Sequence, residues 1–169
     1  MRIFLLGFMG TGKTYWGLQW AEANNLSFYD LDELIEKEEG STVADIFEKN
    51  GEDYFRQKEA FILRSLDQVE NCIIACGGGT PCFYENLEWM NHNGYTISLL
   101  AEAEYILDNV KKEKGKRPLF RDVNDAEILF FIQQKVNERL PFYLGAKKVF
   151  NVNELDSHSL GNIIHSFSK

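Results

Sequence analysis

The chain has 169 residues, enough for one compact domain with its own core and too few for two ordinary ones. Hydrophobic residues at 44% and charged residues at 26% exclude the disordered and fibrous classes. A formal charge of -8 argues against nonspecific attraction to nucleic acid or to an anionic membrane, so neither is an expected partner, and a bound anion must be held by a local site.

Short β-branched or aromatic runs alternate along the chain with longer stretches of helical spacing, the pattern of βα units around a mostly parallel sheet. The first strand is predicted at Arg2 to Leu6, followed by a helix from Gly12 to Ala23. A second strand, Ser27 to Asp30, leads into helices over Asp32 to Glu39, Thr42 to Lys49 and Glu52 to Val69. In the last of these Phe55, Ile62, Leu66 and Val69 form one apolar stripe, which leaves Arg56 and Glu59 on an adjacent face. Three further strands are expected at Cys72 to Cys76, Tyr95 to Leu100 and Lys148 to Val152. Helices are predicted over Tyr84 to His92, Glu102 to Lys112, Asn124 to Leu140 and Asp156 to Ser168, with Pro141 stopping the third of these. Several strands are apolar nearly throughout, so helices should cover both faces of the sheet.

No apolar run approaches the length of about 18 residues that a membrane span needs. Ile3 to Met9 is too short for one and is followed by glycines and Lys13 rather than a signal-peptidase site. A cytoplasmic location is therefore expected. Cys72 and Cys76 on one strand would stand roughly 13 Å apart, beyond disulfide reach, and with Cys82 they read as reduced core residues. His92, His158 and His165 lack metal-ligand spacing, so no metal cage is assigned.

The strongest chemical signal is Gly7-Phe8-Met9-Gly10-Thr11-Gly12-Lys13-Thr14, which satisfies G-x4-G-K-[ST] and lies between an apolar strand and a helix. Glycines let successive N–H groups curl around a polyphosphate, and the helix N-terminus adds its positive end. Lys13 can reach the outer phosphates, and the Thr14 hydroxyl can ligate Mg2+. Gly10, Thr11, Gly12, Lys13 and Thr14 are thus the candidate binding residues for ATP.

Asp30 and Asp32 stand at the end of the second strand and, one residue apart, should project to the same side. One carboxylate can meet Mg2+ through water, the other can orient a substrate hydroxyl or take its proton; alternatively Asp32 caps the next helix. No Asp occupies the usual Walker-B position, so the metal would lean on Thr14 and on Asp30 through water. Gly77, Gly78 and Gly79 follow the third strand. Each costs conformational entropy on folding, so either something approaches that backbone closely or the segment is a flexible turn. The basic run Lys111 to Arg117 precedes Pro118, which suggests a mobile loop rather than a solvated helix end.

The phosphate loop, the Asp-x-Asp pair, the triple glycine and Arg117-Pro118-Leu119 occur in one fixed order, together with Val43-Ala44-Asp45-Ile46-Phe47 and the Phe55-Arg56 pair with Glu59 shortly after. This set resembles the shikimate kinase family from residue 2 to residue 168. The resemblance implies a P-loop NTPase fold of nucleoside-monophosphate-kinase type: a five-stranded parallel sheet flanked by helices, in one kinase domain over 1–169. A substrate-binding region would lie at about 31–62 and a short lid at about 111–124. It implies transfer of the γ-phosphoryl group of MgATP to the 3-hydroxyl of shikimate, with shikimate the small-molecule partner and a monomer the expected state.

Carried over residue by residue, Asp32 would hold the ring hydroxyls and act as base, Arg56 and Arg139 would clamp the carboxylate, and Gly77, Gly78 and Gly79 would present backbone to the substrate. Phe47 and Phe55 would wall the ring, and Arg117, with Lys13, would stabilise charge on the transferring phosphoryl group. A planar guanidinium matches a carboxylate bidentately. Without the resemblance, Arg56 reads equally as a surface ion pair with Glu59, Arg139 as one with a nearby acid, and both phenylalanines as core. Three positions depart from the commonest family pattern: Asn109 where an arginine often packs on adenine, Ser41 after Gly40, and Phe120 after Arg-Pro-Leu. The alternatives are another small-molecule kinase on this scaffold, such as a gluconate kinase or a nucleoside monophosphate kinase, and a catalytically silent ATP-binding module.

Overall fold

The computed structural model describes residues 1–112 and 124–167. Five parallel strands form one sheet in the order β2-β3-β1-β4-β5: β1 is Arg2–Leu6, β2 Ser27–Asp30, β3 Cys72–Ala75, β4 Tyr95–Leu100 and β5 Lys148–Asn151. Seven α-helices are described: α1 Lys13–Ala23, α2 Leu31–Glu39, α3 Val43–Ser65, α4 Asn86–Asn93, α5 Ala103–Lys112, α6 Asp125–Leu144 and α7 Ser159–Phe167. Five parallel strands flanked by helices are the arrangement that the resemblance implies.

Every residue of β1 and β3 is buried, because each strand has helices on both sides. On one face Phe4, Leu6, Cys72 and Ile74 pack with Leu31, Ile35, Phe55, Leu63, Ile106 and Ile132. On the other, Ile3, Leu5, Ile73, Ile97 and Leu99 pack with Trp20 of α1 and Leu160 of α7. Cys72 and Cys76 lie buried in the first core and all three cysteines are free thiols. No described helix is long and apolar enough to cross a membrane.

Register fixes where the loops meet. Leu5 and Asp30 each pair with Ala75 in β3, and Cys76 N–H donates to the Leu5 carbonyl at 3.0 Å. The ends of β2, β3 and β1 are therefore level, and the three segments that follow them leave the sheet side by side. This is the carboxyl edge where open α/β sheets bind ligands.

Two helical expectations change. Pro141 does not stop α6, which runs on to Leu144; proline removes one donor, and packing of the last turn, with Tyr143 fully buried, outweighs that loss. The two helices predicted at Thr42 to Lys49 and Glu52 to Val69 follow one another without a loop as α3, and Gly51 with φ 82° makes a kink at the predicted break. The chain beyond Ser65 tightens into a 3-10 turn over Leu66–Gln68.

Candidate active site

The phosphate loop is built on positive φ angles: Gly7 at 139°, Gly10 at 78° and Gly12 at 86°, conformations that side-chain-bearing residues rarely adopt. Thr11 Oγ1 closes the turn by donating to the Phe8 carbonyl at 2.8 Å. Lys13 opens α1, and its Nζ donates to the carbonyls of Gly7 and Phe8, both at 2.9 Å. Thr14 Oγ1 donates to Asp30 Oδ2 at 3.1 Å, so the hydroxyl and carboxylate singled out for Mg2+ stand together. Both are hard oxygen donors, the set Mg2+ prefers.

Asp30 and Asp32 are not two same-side residues of one strand. Asp30 ends β2 and is itself the N-cap of α2, its Oδ1 accepting the Asp32 N–H at 3.0 Å. Asp32 lies in the first helical turn, so the helix turn, not strand alternation, brings the carboxylates together. Capping thus belongs to Asp30 and leaves the Asp32 side chain to the site. Burial, then the negative charges of Asp30 and Glu59, push the Asp32 carboxyl up to about 6 from 3.8, with Lys13 opposing them.

Close approach, rather than flexibility, accounts for the triple glycine. A methyl group on Gly77 would lie 2.9 Å from Glu59 Oε1 and 3.1 Å from Asp32 Oδ1; one on Gly79 would lie 2.4 Å from Arg56 Nη2. On Gly78 it would lie 3.3 Å from Arg139 Nη1, 3.4 Å from Met9 N and 3.6 Å from the Gly7 carbonyl oxygen. Three consecutive residues thus touch Asp32, Arg139, Arg56 and the phosphate loop in turn. Residues from the loop after β1 and from α2, α3 and α6 converge on the turn that follows β3.

Arg56 is not a surface residue. It is 6% exposed and its Nη1 donates to Glu59 Oε2 at 2.8 Å, with Glu59 fully buried. Arg56 Nε also meets Glu52 Oε1 at 3.2 Å. The guanidinium carbon lies 5.7 Å from the Phe47 ring, 5.1 Å from Phe55 and 4.5 Å from Phe83, an aromatic box that favours a cation. Phe55 is at once core and wall: it is 3% exposed and its ring stacks 4.6 Å from that of Phe47.

Arg139 projects from α6 toward the phosphate loop, its guanidinium carbon 5.5 Å from the Phe8 ring. Among the described residues no carboxylate lies within ion-pair distance of it. Arg117, with Pro118, Leu119 and Phe120, lies outside the described residues, as does most of the segment expected to be a lid.

Sequence reasoning gave no role to Thr80, whose hydroxyl donates to Glu59 Oε1, to Phe83, or to Tyr143, whose hydroxyl donates to the Gly78 carbonyl at 2.6 Å. The early signals for Glu59 were its i,i+3 spacing from Arg56 and its place shortly after the Phe55-Arg56 pair. Asn109 acts locally, its Nδ2 donating to the Gly10 carbonyl at 2.8 Å and so tying α5 to the apex of the phosphate loop.

Comparison with known proteins agrees with this geometry. The shikimate kinase family model matches residues 9–167. The shikimate kinase of Bacteroides thetaiotaomicron is 40% identical over 156 residues, 92% of this chain and 89% of that protein. A crystal structure of the enzyme from the same species superposes with a TM-score of 0.92 over 100% of this chain and 99% of its own, at 36% identity in that alignment. A shikimate kinase from Acinetobacter baumannii, solved in complex with shikimate, superposes with a TM-score of 0.84 at 31% identity, over 99% of this chain and 92% of its own. An ATP-dependent kinase with its phosphate loop, Asp32 and two arginines gathered at one glycine turn, this chain belongs to the shikimate kinase family.

Proposed function

We propose that the site transfers the γ-phosphoryl group of MgATP to the 3-hydroxyl of shikimate, with Arg56 and Arg139 holding the carboxylate and Asp32 the reacting hydroxyl. The observation that carries this reading is the convergence of Asp32, Arg56 and Arg139 on Gly77, Gly78 and Gly79 beside the phosphate loop. Two guanidiniums at one end and a carboxylate at the other suit a small molecule with an acid group and hydroxyls. Gluconate shares those groups, and the substrate panel below separates the two acceptors.

Phosphoryl transfer asks the protein chiefly for positioning and charge compensation. The amides of Gly10, Thr11, Gly12 and Lys13 cradle the phosphates, and Lys13 Nζ exchanges its loop carbonyls for phosphate oxygens. Thr14, and Asp30 through water, would hold Mg2+, which when bound neutralises charge on the phosphates. The Asp32 carboxylate, raised to about 6, ionises at neutral pH while remaining basic enough to accept the proton of the attacking hydroxyl. Arg117 enters this reading from the sequence alone, as a stabiliser of the transferring group. The segments 31–62 and 111–124 serve as acceptor site and lid of one kinase unit that works as a monomer.

The test is a coupled ADP assay with a panel of acids and alcohols. Turnover of shikimate well above gluconate and nucleoside monophosphates is the expected result; turnover of gluconate without shikimate would refute the assignment, and nucleotide binding without turnover of any acceptor would favour a silent module.

A further inference from the structure

Tyr143 is one of the largest fully buried side chains, yet it carries a hydroxyl into the substrate turn. It lies two residues beyond Pro141, in the stretch of α6 that continues past that proline. Its Oη donates to the Gly78 carbonyl at 2.6 Å. One helical turn earlier, Arg139 presents its guanidinium to the same glycine. Residues four apart share a helix face, so α6 bonds Gly78 through Tyr143 and sets Arg139 beside it.

The Gly78 carbonyl is thus fixed by a side chain from α6 rather than by its own turn. Burial pushes the Tyr143 phenol well above its ordinary value, while the neighbouring Arg139 charge pulls it down; the hydroxyl stays protonated and remains a donor.

We infer that Tyr143 is a positioning residue for the acid substrate: its bond to Gly78 fixes the glycine turn against α6 and so sets Arg139 at the distance the substrate requires. The inference rests on the assignment of the glycine turn and Arg139 to the acceptor.

The test compares wild type with Tyr143→Phe, which deletes only the hydroxyl, and Tyr143→Met, which keeps much of the volume should the phenylalanine variant fold poorly. The expected result is a KM for shikimate raised about tenfold, from the loss of one buried hydrogen bond and its effect on Arg139, with the KM for ATP within about twofold of wild type. Adding Tyr143→Phe to Arg139→Ala should cost much less than tenfold, because the arginine it positions is already gone. A shikimate KM within twofold of wild type overturns the inference, as does a parallel rise of both KM values tracking a fall in Tm, which marks a purely structural tyrosine. Absence of shikimate turnover in wild type would instead refute the functional assignment itself.

Discussion

The carboxylates of Asp32 and Glu59 face each other across Gly77, so that a single methyl group on that glycine would lie 3.1 Å from one and 2.9 Å from the other. The two are unequally compensated. Glu59 is held by Arg56 and Thr80, whereas Asp32 gains only partial relief from Lys13 and its carboxyl is pushed up to about 6. Like charges at close range, one compensated and one poised, are a general means of setting a base.

The first prediction concerns pH. kcat/KM for shikimate should fall as pH drops below about 6, as Asp32 takes up a proton, and Asp32→Asn should remove that limb while lowering kcat far more than affinity. Near-normal turnover in Asp32→Asn would remove the base assignment.

The same shift has a stability consequence. Asp32 ionises less readily in the fold than in the unfolded chain, so its contribution is most favourable below about pH 3.8 and is lost as pH rises through about 6. Asp32→Asn, which mimics the neutral form, should stabilise the ligand-free protein by about 1–3 kcal/mol at pH 7.5. Denaturant melts at pH 7.5 and pH 4 check this: the gain should shrink toward the acid, and a gain equal at both values would contradict it.

Mutagenesis can separate the pairing of Arg56 with Glu59 from its proposed hold on the substrate carboxylate. Arg56→Ala leaves the fully buried Glu59 without its cation and should cost about 3–5 kcal/mol of stability, besides weakening substrate binding. Adding Glu59→Gln should recover most of the stability and none of the affinity. Recovery of both would show that Arg56 does not touch the substrate.

Gly79→Ala brings a methyl to 2.4 Å from Arg56 Nη2, and the guanidinium is already pinned by Glu52, Glu59 and three aromatic rings. A rise of about tenfold or more in the KM for shikimate is expected, from a displaced charged hydrogen bond, with ATP binding retained. Unchanged kinetics would mean the arginine has room to yield.

Asn109 braces the phosphate loop through Gly10, so Asn109→Ala should raise the KM for ATP about two- to tenfold, the range for one net hydrogen bond, and leave that for shikimate unchanged. Equal shifts in both would place its effect elsewhere.

Strands and the phosphate loop were readable because their signals are local: an apolar run, a glycine spacing, a lysine and a threonine. The glycine turn was readable as a close approach, but not what approaches it. Arg56 looked as much like a surface ion pair as a ligand, since i,i+3 spacing to Glu59 is the same at the surface and in the core. Asp30 and Asp32 were paired by the wrong geometry, because the start of α2 falls between them. Pro141 misled because its cost to the helix is local, whereas the gain from burying Tyr143 against Gly78, 65 residues away, is tertiary.

The functional reading depends above all on Arg56 and Arg139 holding one carboxylate beside the phosphate loop. Calorimetric titration with shikimate and with its carboxamide, in wild type and Arg139→Ala, is the decisive experiment. Wild type should prefer the acid, and Arg139→Ala should lose about 2–5 kcal/mol of binding to it, with little change for the amide. Equal affinity for acid and amide in wild type, or an unchanged acid affinity in the variant, would show that the two arginines do not form a carboxylate clamp.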